Sequence, residues 1–114
     1  MTQYLIAFNQ QWVGDHSDAW FRSRGPLARA VVAEMQTAGV LVFAGGLVEE
    51  PESAYRVELG GDATSVRSNP YGPGDEYLGG MTIIDVPDVE TAKLWAVKVA
   101  QACGWPQELR PFKG

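Results

Sequence analysis

The tightest constraint on this chain is the run from Met81 to Val86, Met-Thr-Ile-Ile-Asp-Val. It is short, rich in β-branched side chains and closed by Pro87, so it reads as a buried strand rather than a helix. Gly79-Gly80 leads into it, and a glycine pair there lets the backbone approach a neighbour closely or take positive φ. Upstream, Asn69 to Gly74 holds two prolines and two glycines, which makes it a shaped loop. A shaped loop feeding a central strand is a common wall of a small pocket; a plain surface connection is the other reading.

The remaining elements follow from periodicity. Gln3 to Phe8 reads as a strand with Tyr4, Ile6 and Phe8 on one face and Leu5 and Ala7 on the other. Both faces are apolar, which predicts a central position. Asp15-His16-Ser17-Asp18 offers several helix N-caps. Ala19-Trp20-Phe21 opens a helical turn that Gly25-Pro26 interrupts. The expectation is a short turn, a break, then a helix from Pro26 to about Thr37, with Leu27, Val31, Met35 and Ala38 on its core face and Gly39 as C-cap. Val40 to Ala44 is a strand ended by Gly45-Gly46, and Glu49 to Glu52 a solvated loop. Ala54 to Leu59 alternates, with Tyr55, Val57 and Leu59 opposite Arg56 and Glu58; Gly60-Gly61-Asp62 turns the chain tightly and Thr64 to Arg67 returns. Asp88 caps the clearest helix, with Ala92, Trp95, Ala96, Val99, Ala102 and Cys103 on one face and Gly104 and Pro106 as its stop. Glu108 to Phe112 is the last strand.

Two helices on one side of an antiparallel sheet make an α+β, ferredoxin-like split βαβ arrangement, read as one domain over residues 1–114. Its strands are apolar on both faces, so something must cover the face away from the helices. A second copy is the simplest cover, giving a homodimer whose sheets pack face to face as an α+β barrel.

Charge and residue counts narrow the partners. The chain has 114 residues and a formal net charge of −5, which argues against a nucleic-acid backbone, whose binding needs a basic face. One cysteine, Cys103, and one histidine, His16, leave no set for a metal site and no internal disulfide; Cys103 is read as a small core residue, and no cofactor is expected. No signal peptide and no membrane-length apolar run is read in the sequence, so the expected compartment is the cytoplasm, with no membrane partner.

Several stretches resemble the YCII-related proteins, in the branch named for its Asp-Gly-Pro-Phe motif. The carriers are Tyr4-Leu5-Ile6-Ala7-Phe8, Ala38-Gly39-Val40-Leu41-Val42, Leu78-Gly79-Gly80 before Ile83-Ile84-Asp85-Val86-Pro87-Asp88, the helix with Ala92 and Trp95, and Glu108-Leu109-Arg110-Pro111-Phe112. The resemblance implies a dimeric ferredoxin-like barrel, cytoplasmic and mostly bacterial. A few such relatives are lyase-like or dehalogenating enzymes acting on small, often aromatic molecules, and many are linked with alternative sigma factors. The naming motif falls on Ser68-Asn69-Pro70-Tyr71, where only the proline is kept and Ser68 replaces the carboxylate. The family's helix-one histidine falls on Ala28. Both members of the His/Asp pair behind the family's enzymatic reading are therefore absent.

What chemistry remains centres on His16, the one side chain whose ordinary pKa lies near neutrality and the candidate catalytic group. It lies in an acidic loop that would also serve simply as a cap. Arg24 near Trp20 suits a carboxylate or enolate ligand, or a solvated helix face. Ser68, Tyr71 and Asp75 are the remaining candidate ligand contacts, with a half-buried interface as the other reading for Tyr71 and a solvated acidic edge for Asp75. Trp12 and Trp20, in the irregular segment, would form a ligand wall or a lid. Three functions fit: a small-molecule-binding protein without the family's chemistry, an enzyme with a re-sited catalytic group, and a scaffold or regulatory dimer.

Overall fold

A computed structural model describes residues 1–114. Strand β1 (Thr2–Asn9) leads through a short 3₁₀ turn (Gln10–Trp12) to helix α1 (Asp18–Ala38). Then come β2 (Leu41–Gly46), a 3₁₀ turn (Pro51–Ser53), the hairpin β3 (Tyr55–Gly60) and β4 (Ala63–Ser68), β5 (Leu78–Val86), α2 (Val89–Cys103) and β6 (Glu108–Pro111). Four strands form an antiparallel sheet in the order β2-β5-β1-β6, and the hairpin is a separate two-stranded sheet. The chain is α+β, with a strand order compatible with the ferredoxin-like fold. β1 is central, as its two apolar faces require.

Period-2 alternation sorts the sheet. Tyr4, Ile6, Ile84 and Val86 point to one face and meet Met35 of α1 and Ala92 and Val99 of α2 in a single core. Ile6, Met35, Ile84 and Val86 are fully buried. The other face carries Leu5, Met81, Ile83 and Phe43, placed together by the register Leu5↔Ile83↔Phe43 and Ala7↔Met81. No helix lies over it, and Phe43 is 53% exposed. The molecule is accordingly a slab of 48 × 41 × 18 Å.

The Gly79-Gly80 pair works by close approach. Both glycines are buried inside β5 with negative φ, and a Cβ on Gly80 would lie 2.9 Å from the Phe8 ring. Only glycine lets that ring lie against the strand.

α1 differs from the expected short turn and break. One continuous helix starts at Ser17, whose Oγ accepts from the Trp20 amide at 3.1 Å, and carries Pro26 inside it. The proline removes the hydrogen bond to the Arg22 carbonyl. Both residues are exposed, so water reaches the freed carbonyl and the break is not forced. Continuity also resets the phase. The inward line runs through Trp20, Arg24, Ala28, Val31 and Met35, while Leu27 and Ala38 face solvent. Gly39 is the left-handed C-cap (φ 73°). Gly45-Gly46 does not end β2 but pairs within it, opposite Met81 and Gly80.

α2 follows its sequence signals. Asp88 accepts from the Thr91 amide at 2.8 Å and from its hydroxyl at 2.7 Å. Gly104 (φ 92°) closes the helix. Cys103 packs against the core, and burial pushes its thiol pKa up, so it is poorly reactive. No helix is long and apolar enough to cross a membrane.

Two outcomes test this packing. Ile84→Ala opens a cavity at the centre of the sheet and is expected to destabilise the fold by about 2–5 kcal/mol in denaturant titration. Asp88 is held below the usual carboxylate range, first by the Thr91 amide and then by the Thr91 hydroxyl. A lowered native pKa adds stability that is complete above the unfolded value of ~3.9 and is lost as pH falls through the native value. The melting difference between wild type and Asp88→Ala is therefore expected to be constant from neutral pH to about pH 5 and to shrink below about pH 4. A difference that grows on acidification would contradict the cap.

Candidate functional site

The site grows from the sheet outward as a chain of rings. Phe8, at the end of β1, meets Trp105 with centroids 5.1 Å apart. Trp105 lies 6.2 Å from Trp20 on α1, and His16 stacks on Trp20 at 3.5 Å with an interplanar angle of 16°. Phe21 closes the group edge-on against both His16 and Trp20. Arg24, one turn after Trp20, sets its guanidinium 4.8 Å from the Trp20 ring centroid. Gly104 makes room for this arrangement. Its φ of 92° favours glycine, and a Cβ there would lie 2.7 Å from the Trp20 ring and 3.3 Å from the Arg24 chain.

Hydrogen bonding within the group is incomplete. The buried Nε of Arg24 and the buried indole Nε1 of Trp105 have no partner, and the side-chain amide nitrogen of Gln107, two residues on, has none either. All three are donors. Arg24 takes part in none of the ion pairs, which are Arg56–Glu58, Arg67–Glu58, Lys93–Glu90 and Lys98–Glu34. The Arg24 guanidinium thus lies on an aromatic face with no carboxylate beside it.

His16 is exposed, and its Nε2 bonds the Val13 carbonyl at 3.0 Å. A carbonyl only accepts, so Nε2 carries the hydrogen and the neutral ring keeps its lone pair on Nδ1. The ring therefore caps Trp20, with its orientation fixed by the Val13 carbonyl.

Of the residues expected from sequence, His16, Trp20 and Arg24 come together. Ser68, Tyr71 and Asp75 form a different neighbourhood beside the hairpin. The Ser68 carbonyl accepts from Arg56 at 2.9 Å, the Tyr71 hydroxyl donates to the Val57 carbonyl at 2.6 Å, and Asp75, exposed, accepts the Tyr77 amide through its carbonyl at 2.9 Å. No hydrogen bond, ion pair or ring contact joins them to the His16 group. The Asn69–Tyr77 loop is pulled instead toward the β2–β3 connection, where the Tyr77 hydroxyl donates to the Glu49 carbonyl. A groove of about 420 Å³ runs there between Val48, Pro51, Pro70 and Tyr77. On the open sheet face a second cleft of about 270 Å³ is lined by Leu5, Asn9, Trp12, Glu108 and Arg110.

Sequence reading missed Trp105 and Gln107. Trp105 sits in a helix stop, where a tryptophan looks like punctuation; the unusual choice of so large a side chain between Gly104 and Pro106 was the available signal. His16 is the chain's single histidine, so its ring protons resolve by NMR. Stacking on Trp20 is expected to shift them upfield, and Trp20→Ala to return them to free-peptide positions. Gly104→Ala is expected to move them the same way by displacing Trp20. Unshifted protons in the wild type would remove the stack. Comparison with known proteins finds no family model that matches the chain and no curated protein that matches it.

Proposed function

We propose that this chain is a YCII-like small-molecule-binding protein of the cytoplasm that works as a homodimer, its two open sheet faces packed together as an α+β barrel. Its ligand is a small acid whose carboxylate Arg24 would hold at the edge of the Trp20 and Trp105 rings. The observation that carries this reading is the pair of buried, unpartnered donors, Arg24 Nε and Trp105 Nε1, beside one ring. Each buried donor without a partner costs about 1–3 kcal/mol. A carboxylate offers acceptors to several donors at once and offsets those costs together, and the indole faces suit an aromatic body. The dimer reading rests on the sheet face with Leu5, Met81, Ile83 and Phe43, over which no helix lies and where Phe43 is exposed and the others half-buried.

A second reading draws on His16. Its Nε2 is committed to Val13, and Nδ1 remains as a base beside the same rings. With a bound acid that carries an acidic C–H, this is an enzyme of the proton-transfer or lyase type.

Titration with benzoate and with neutral benzamide, followed by calorimetry, separates the readings. Benzoate is expected to bind and benzamide to bind at least tenfold more weakly. Arg24→Gln is expected to raise the benzoate Kd at least tenfold and leave benzamide unaffected. Equal binding of both compounds by the wild type would sink the anion site. If an acid substrate is turned over, His16→Gln removes turnover while keeping binding; turnover that survives this change excludes His16 as the base.

A further inference from the structure

The β3–β4 hairpin is inside out for a chain that stands alone. The register Val57↔Val66 and Leu59↔Thr64, with Tyr55 at the base, gathers Tyr55, Val57, Leu59 and Val66 on one face. These are 71%, 55%, 88% and 63% exposed. The opposite face carries Arg56, Glu58 and Arg67, tied by contacts of 2.6 Å and 3.6 Å. Arg56 and Glu58 are the less exposed residues of β3. A hairpin packed on its own body turns apolar residues inward and charges outward. This one leaves its apolar face in water, and its charged residues pair with one another. It is also a separate two-stranded sheet, a form that is marginally stable unless it packs on something.

We propose that this hairpin is an arm whose apolar face packs on a second copy of the chain; the inference rests on the homodimer read above and adds the arm to its interface. Three features favour a second copy as occupant. The chain carries a second uncovered apolar surface, the sheet face with Leu5, Phe43, Met81 and Ile83, and the dimer read above pairs that face with its counterpart and so brings a partner alongside the arm. Two-fold symmetry uses every such contact twice, and the broad face of a 48 × 41 Å slab is ample for the ~800 Å² per partner of a standard interface. Charge permits the contact as well. Each copy carries −5, so approach of two copies is opposed. Residues 54–69 hold Arg56 and Arg67 against Glu58 and Asp62, two positive and two negative charges, so the arm meets its acidic partner as a neutral body.

Sedimentation of the full chain at rising concentration, with circular dichroism on the same samples, tests this. The wild type is expected to be a dimer. Leu59→Asp with Val66→Asp, at positions already open to solvent in one chain, is expected to keep the dichroism spectrum and raise the dimer Kd at least tenfold. Arg67→Gln, on the charged face, is expected to change it less than threefold. A double variant that dimerises like the wild type overturns the arm and leaves the face-to-face dimer standing; a wild type that is monomeric throughout overturns both. Should the double variant lose its fold, a photo-reactive benzophenone side chain in place of Leu59 decides the matter in mixed ¹⁵N- and ¹⁴N-labelled protein. Crosslinks joining the two isotopes are expected, and crosslinks confined to one chain overturn the arm.

Discussion

The Phe8 ring rests against the backbone of Gly79 and Gly80, where a Cβ on Gly80 would come within 2.9 Å. That contact lies at the end of the β1–β5 ladder, where the register shifts between Phe8 and Asn9. It sets where Trp105 sits, and Trp105 sets Trp20, on which both His16 and Arg24 lie. A larger residue at either glycine would move the first ring of this series and, through it, the charged group at the other end. The candidate site is thus an extension of the sheet's packing rather than a loop feature laid over it.

Strands and the second helix were legible because their signals are local. Met81–Val86, Gln3–Phe8 and the capped run after Asp88 each carry alternation, capping and stop residues within a few positions. The hairpin was legible for the same reason, down to the opposition of Tyr55, Val57 and Leu59 to Arg56 and Glu58. What was lost depended on packing between distant segments. Gly25-Pro26 reads as a break, but the missing hydrogen bond falls on the water side of α1 and tertiary contacts carry the helix through. Val31 and Met35 keep their expected inward places, while Leu27 and Ala38 face water and the line upstream runs through Arg24 and Ala28. Gly45-Gly46 reads as a strand end yet sits in the ladder opposite Met81 and Gly80.

The site was legible by half. Trp20 and Arg24 are one helical turn apart, and His16 precedes them closely, so their grouping follows from short-range geometry. Their partner Trp105 arrives from the far end of the chain, and nothing in the spacing announces that meeting. Ser68, Tyr71 and Asp75 were attached to the same pocket through the shaped loop, but that loop bonds to the hairpin and to Glu49. Loop shape is readable from prolines and glycines; the direction in which the loop leans is not.

The slab is 18 Å thick, so in a single copy no atom lies deeper than half that distance from one broad face or the other. Outside the core around Ile6, Met35, Ile84 and Val86, water therefore sets the dielectric response for most charged groups. At an effective constant of ~20, a unit charge pair 4 Å apart is worth on the order of 4 kcal/mol, against roughly 20 kcal/mol in a dry interior. The ion pairs of the slab, Arg56–Glu58 and Lys98–Glu34 among them, therefore work at the weak end of that range.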